Sequence, residues 1–303
     1  MAEIETTRAD IRALTGVHLY HNYMSNCSQR VSLALREKGV DYVSHHIDLQ
    51  RQENLTDAFV ALNPNKVVPV LVHDGRTYVE SNDIIDYIDK AFAGPKLIPD
   101  DPQIVALTEA LLSASAALQD TIKFLTYEFL MKPISLKSAR KNNALEAEEV
   151  GSDRHRFLTE FLAPGGFTND RITAEVAALS AAFDMLEHRL TDTPWLSGAT
   201  YGLADISWFP NLRRAKMMRY PLNVIPHWPH GLRGRARGPR SKPRSCRPNN
   251  WPRACSWQPT AVTARCGEPR SRHIWVRRDS FLQGAASNSQ AKAASSPNRR
   301  VRA

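Results

Sequence analysis

Hydrophobic positions over the first third of the chain switch between a spacing of two and a spacing of three to four, the marks of strands and amphipathic helices. Val17-His18-Leu19-Tyr20 is a β-type run that stops at the polar segment His21 to Asn26. Beyond it Val31, Leu33, Ala34 and Leu35 recur at helical spacing, and Gly39 supplies a C-terminal stop. Residues 41–48 read as a second strand and 56–62 as a short helix. Val67-Val68-Pro69-Val70-Leu71-Val72 is too β-branched for a helix. Asp74-Gly75 is a hairpin turn signal that feeds Thr77-Tyr78-Val79. Ile84, Ile85 and Ile88 mark one face of a helix ending near Gly94-Pro95. The order β-α-β-α-β-β-α predicts a small α/β layer over residues 16–95.

From Pro102 to Tyr220 the pattern turns helical. Residues 104–130 are rich enough in Ala and Leu for one long helix. Residues 132–170 are polar and broken by Pro133 and Pro164-Gly165-Gly166, which predicts a loop-rich insertion or two short helices. Helical spacing resumes over 173–190, Pro194-Trp195-Leu196-Ser197-Gly198 forms a packed turn, and the mostly apolar Ala204 to Leu212 reads as a central buried helix. An all-helical domain over 102–226 follows, and no fixed-period repeat suggests a solenoid.

Charge divides the chain where periodicity ends. The 303 residues carry 40 basic and 31 acidic side chains, a net of +9. Residues 227–303 hold 17 basic against Glu268 and Asp279, a net of +15, which leaves 23 basic and 29 acidic, a net of −6, for residues 1–226. That basic tail also holds 8 of the 19 prolines and 3 of the 4 cysteines, and is expected to be disordered. Cys27 is the one cysteine before it, which excludes a disulfide framework and points to a reducing, cytoplasmic setting. Met1 to Glu5 is acidic with no apolar run before Gly16, unlike a secretory signal. No apolar stretch approaches the roughly 20 residues of a membrane span, so no membrane partner is expected.

Three motifs in the first region, Ser25-Asn26-Cys27-Ser28-Gln29-Arg30-Val31, Asn63-Pro64-Asn65-Lys66-Val67-Val68-Pro69-Val70-Leu71 and Glu80-Ser81-Asn82-Asp83-Ile84-Ile85, occur in order. Pro194 to Gly198 and Leu203-Ala204-Asp205-Ile206 follow in the second. Together they resemble the cytosolic glutathione transferase family from Val17 to Tyr220, with a serine-type site that is locally similar to the zeta class. The resemblance implies a thioredoxin-like glutathione-binding domain followed by an all-α domain, glutathione as co-substrate with no metal, a small hydrophobic electrophile, and a homodimer.

Each motif has a physical use. Pro69 cannot donate to a ladder, and the family has it in cis; the Val68 main chain would then pair with glutathione as an added strand does. Glu80-Ser81 lies before a helix whose free N–H groups and positive dipole end suit an anion. The resemblance assigns the pair to the γ-glutamyl end, with its ammonium at Glu80 and its carboxylate at Ser81. Lys66 is either a carboxylate partner or a solvated lysine.

For chemistry the candidates are Ser25 and Cys27. A free thiol titrates near 8.5, so a donor aimed at the glutathione sulfur raises the thiolate fraction. Ser25 lies five positions before Arg30, where serine- and cysteine-type members place the catalytic residue, and it would donate without ionising. Cys27 near a helix N-terminus could instead become the thiolate and form a mixed disulfide. The expected function is therefore a glutathione transferase. The alternatives are a non-catalytic or decayed glutathione-fold binding module and a Cys27-dependent thiol reductase.

Departures from the family pattern also carry expectations. Gly202 stands where a capping Ser or Thr is usual, at a cost of a few tenths of a kcal/mol. The 132–170 stretch is long for the family and either lines the electrophile pocket or is a solvated connection. His45-His46 and Arg154-His155-Arg156 lack a second ligand pair at metal spacing and read as a strand pair and a charged helix face. Trp195 and Trp208 read as core aromatics. From His227 the family would continue with a Leu-Ala-x-Trp-x-x-Arg-x-x-x-Arg-Pro helix, which is encodable one frame away. A frameshift near Ile225 or Pro226 accounts for the tail better than a nucleic-acid-binding arm does.

Overall fold

A computed structural model describes residues 3–6, 8–132, 136, 150 and 152–221. The tail over 227–303 and most of 133–151 lie outside them, so neither the expected disorder nor the proposed change of frame bears on the described fold.

A five-stranded sheet runs in the order β1-β5-β4-β2-β3, formed by β1 (Glu3–Ile4), β2 (Val17–His21), β3 (Val43–His46), β4 (Val70–His73) and β5 (Arg76–Tyr78). β2 pairs with β3 in parallel and with β4 antiparallel, and β4–β5 is the hairpin that Asp74-Gly75 announces. The α/β layer starts earlier than residue 16, because Glu3 pairs with Tyr78 and Ile4 with Thr77. Two residues are too few to show alternation, which is why periodicity misses this strand. Helices α1 (Ala9–Arg12), α2 (Asn26–Glu37), α3 (Asp57–Val60) and α4 (Ser81–Ala91) complete the layer.

β4 shows the period of two at work. Leu71 faces a core with Leu19, Val31, Leu35, Ile84, Ile85 and Ile88, while Val70 and Val72 face a second core with Ile11, Phe59 and Leu62. The first core takes in Leu203 and Ile206 from the helical region, so the two parts of the chain share apolar burial. A buried ion pair reinforces the packing of α2 on α4. Lys38 Nζ lies 2.9 Å from Asp89 Oδ1 and also donates to the Asp89 and Pro95 carbonyls at 3.0 Å.

The helical region contains α5 (Pro102–Ala117), α6 (Gln119–Thr126), a π-helical turn at Tyr127–Met131, α7 (Asp153–Leu162), α8 (Asn169–Asp192) and α9 (Leu203–Met217). The single helix expected over 104–130 is thus interrupted at Leu118, which propensity cannot foresee because Ala116, Ala117, Leu118 and Gln119 at the break all favour helix. Asp101 caps α5, accepting from Gln103 N at 2.8 Å, with Pro102 in the first turn. The Arg154-His155-Arg156 run sits in α7, one helix inside the stretch expected to hold loops or two short ones. Trp208 is fully buried and donates through Nε1 to the Leu111 carbonyl at 2.9 Å, whereas Trp195 is half-buried and edge-on to Tyr201.

Candidate active site

α2 begins at Ser25 because the serine side chain can satisfy a free N–H of the first turn. Ser25 Oγ accepts from the Ser28 amide at 3.2 Å, and the Ser25 amide donates to the Asn22 carbonyl at 3.0 Å. The hydroxyl oxygen is thereby occupied as an acceptor, and it donates to no other described residue. Ser25 is half-buried, as is Cys27 two residues on, so both sit at the positive end of a twelve-residue helix.

Arg30 is the hub of this site, and it was not among the sequence-predicted residues. It is 1% exposed, and burial pushes its pKa down while the Cys27 side chain opposes that shift. Nη1 lies 3.6 Å from Cys27 Sγ and 3.1 Å from Ser81 Oγ. Nε donates to the Ser207 carbonyl at 2.8 Å, and Nη2 to Asn211 Oδ1 at 3.4 Å, both on α9. One buried guanidinium therefore joins the start of α2, the start of α4 and the helical region. The signal was present in the pattern, since Asn26, Arg30 and Ala34 fall on the face of α2 that turns inward, where a charge is rare.

Ser81 opens α4 and is buried, while Glu80 at the cap position is exposed with φ 61 and ψ 108. That conformation costs a non-glycine residue of order 1–3 kcal/mol and tends to persist where a ligand or switch needs it. Lys66 also has a positive φ of 58 and is exposed, and its hydrogen bonds among the described residues run to Asn54 and Asn63 rather than to Ser25, Cys27 or Ser81. The Val68–Pro69 peptide is cis, both residues are buried, and the Val68 main chain makes no hydrogen bond to another described residue. Val70, just beyond, pairs with Tyr20, which places the 68–69 segment beside the strand that leads into the Ser25 loop.

The histidine pair separates as a strand pair should. His45 stacks on Tyr20 with centroids 4.3 Å apart and lies 3.0 Å from His18 Nδ1, while His46 stacks on Tyr23 at 5.3 Å. Among the described residues no group of three or more His, Cys, Asp or Glu side chains is placed to hold a metal ion, and no helix is long and apolar enough to cross a membrane.

A two-part chain with a mixed sheet first and helices second, joined at a helix N-terminus carrying Ser25, Cys27 and Arg30, defines a glutathione transferase architecture. Comparison with known proteins agrees. Residues 19–96 match the family "Glutathione S-transferase, N-terminal domain", and residues 169–240 match "Glutathione S-transferase, C-terminal domain". The second match runs past Pro226, so it does not mark the departure expected near Ile225.

A tetrachloro-p-hydroquinone reductive dehalogenase of Sphingobium chlorophenolicum is 31% identical over 211 residues, covering 67% of this chain and 84% of the relative. Glutathione S-transferase TCHQD of Arabidopsis thaliana is 27% identical over 217 residues, covering 67% and 78%. A maleylacetoacetate isomerase of Mus musculus is 40% identical over 95 residues, covering 31% and 44%. Among solved structures, a β-etherase of Sphingobium aligns with a TM-score of 0.66 at 23% identity, covering 74% of this chain and 96% of that one, which bears on the fold alone. The chain belongs to the cytosolic glutathione transferase family.

Proposed function

We propose that the protein is a glutathione transferase in which Ser25 donates a hydrogen bond to the glutathione sulfur and so favours the thiolate that attacks a small apolar electrophile. The observation that carries this reading is the Ser28 amide held on Ser25 Oγ at 3.2 Å, which leaves the hydroxyl proton for the sulfur. The helix end and the Arg30 guanidinium add positive potential. Ser81 and the start of α4 would take the γ-glutamyl carboxylate, Glu80 its ammonium, the unpaired Val68 main chain the cysteinyl amide, and Lys66 a carboxylate. Catalysis then comes from positioning and nucleophile activation. The names of the sequence relatives favour a haloaromatic or maleyl-type electrophile. A homodimer and a cytoplasmic setting are proposed on the resemblance alone.

Cys27 is the second reading, favoured by the Arg30 Nη1 contact at 3.6 Å from Sγ. Ultraviolet difference absorbance of bound glutathione thiolate, with turnover, separates the two in wild type, Ser25→Ala and Cys27→Ala. Ser25→Ala is expected to lower kcat/KM by about 10- to 100-fold, the worth of one hydrogen bond to an anion, and Cys27→Ala by less than about threefold. Turnover that survives the first change and dies with the second overturns the Ser25 assignment. Absence of thiolate signal in all three proteins makes the chain a binding module without this chemistry.

A further inference from the structure

The loop of residues 22–25, which delivers Ser25 to the helix end, is pinned at nearly every polar atom. Asn22 Oδ1 accepts from the Met24 amide at 2.9 Å, and the Asn22 carbonyl from the Ser25 amide at 3.0 Å. Asn22 Nδ2 donates to the Ile47 carbonyl at 2.9 Å, and Gln29 Nε2 to the Tyr23 carbonyl at 2.8 Å. The Asn22 amide donates to Ser28 Oγ at 3.3 Å. All of these partners belong to the α/β layer.

The Met24 carbonyl is the exception. Arg214, on α9, donates to it through Nη2 and donates through Nη1 to Thr126 Oγ1 at 3.3 Å, at the end of α6. Arg214 is 7% exposed, and burial, with Arg213 as a second cause, brings its pKa down to about 10. Among the described residues its hydrogen-bond partners are the Met24 carbonyl and the Thr126 hydroxyl, and no carboxylate pairs with it. A guanidinium removed from water with only neutral oxygens as partners is expensive for a fold to keep. Its free energy improves when an anion arrives nearby. The held carbonyl belongs to the peptide that carries the Ser25 amide, so the cation is bonded to the main chain one peptide before the Ser25 side chain.

We propose that Arg214 is a positioning residue that reaches from the helical region to fix the Met24–Ser25 peptide, and that its desolvated charge favours the thiolate of glutathione held at Ser25. This role rests on the glutathione reading above. It ties thiolate formation to the seating of α9, which also holds the next residue, Asn26, whose Nδ2 donates to Asn211 Oδ1 at 3.1 Å. Successive turns of α9 then serve the same region: the Ser207 carbonyl and Asn211 Oδ1 hold Arg30, and Arg214 holds the Ser25 loop.

The test uses the full chain as wild type, Arg214→Gln and Arg214→Lys. S-methylglutathione affinity reports binding without a titrating sulfur, and the pH profile of glutathione thiolate absorbance reports the sulfur itself. Arg214→Gln keeps a donor but no charge. It is expected to raise the apparent pKa of bound glutathione by about one unit and to lower kcat/KM near neutral pH about tenfold, with S-methylglutathione affinity within about twofold of wild type. Arg214→Lys is expected to return the profile to within a few tenths of a unit of wild type. A merely structural role would weaken binding and melting in both variants alike and leave the profile unmoved, and that result overturns the proposal. Should Arg214→Gln fail to fold, Thr126→Ala, which frees one side of the guanidinium while keeping its charge, is read instead: a displaced profile with S-methylglutathione affinity unchanged supports the role, and an unchanged profile overturns it. Wild type that binds no S-methylglutathione overturns the glutathione reading and the Arg214 role with it. Wild-type binding with a lowered thiolate pKa that Arg214→Gln leaves in place overturns the Arg214 role alone.

Discussion

At the scale of single residues, His21 gives the fold a pH dependence of definite sign. Burial, with His46 and His45 as lesser causes, depresses its pKa to about 4, and its Nε2 lies 2.7 Å from Ser44 Oγ. The unfolded chain takes up this proton near 6.5, while the folded chain resists it until about pH 4. The contribution to stability is therefore complete above pH 6.5 and is lost as pH falls toward 4. His45, also held down by burial and by His18, acts in the same direction. Urea midpoints measured between pH 7 and 5, above the range in which most carboxylates titrate, are expected to fall for wild type. His21→Gln should flatten that fall, and an equally steep profile in the variant would assign it elsewhere. Single residues were also the scale at which the sequence said least. Ser25, Cys27 and Ser81 stand out by motif, but Arg30 and Arg214 act through contacts 177 and 190 residues away along the chain. No local pattern encodes such pairings; it only marks a charge on a face that should be apolar.

Elements were more legible, because hydrophobic spacing decides them locally. The strands at 17–21, 70–73 and 76–78 and the helices at α2, α4, α8 and α9 follow from periodicity and punctuation, with boundaries moved by a few residues. What spacing could not supply is the reason for Gly202. A glycine at the start of α9 reads from sequence as a slightly weak cap that serine would improve. In the fold, a Cβ at Gly202 would collide with the Leu97 carbonyl oxygen and lie 2.8 Å from Ser197 Cβ. That carbonyl is fixed, accepting from the Leu203 amide at 3.0 Å. Capping is done from within the helix instead, since Asp205 accepts from the Gly202, Leu196 and Ser197 amides at 3.1, 2.9 and 3.3 Å. Gly202→Ser is thus expected to destabilise by about 1–3 kcal/mol, the usual cost of overpacking, and to lower the denaturant midpoint. A gain in midpoint would mean that Leu97 can yield and that the family's usual capping residue fits here after all.

On the scale of the whole molecule, charge and site lie in different stretches of the chain. Ser25, Cys27, Arg30, Ser81 and Arg214 all precede Pro226, in a region with a net of −6, while residues 227–303 carry +15. Attraction of polyanions should then come from the tail alone, without sequence preference and with a steep loss on adding salt. Glutathione binding should depend on neither. A chain ending at Pro226 is expected to bind S-methylglutathione within about twofold of the full chain and to lose retention on heparin or duplex DNA at low salt. The two readouts decide what the tail is. Loss of S-methylglutathione binding on shortening would show that residues beyond 226 complete the fold, as the C-terminal family match to residue 240 would then imply. Retention of one DNA sequence over others would make the tail a nucleic-acid arm and remove the case for a change of frame. Salt-sensitive retention without sequence preference, together with an intact glutathione site, is what an unselected basic extension on a transferase body would give, because arginines placed without regard to base edges can contact only phosphate.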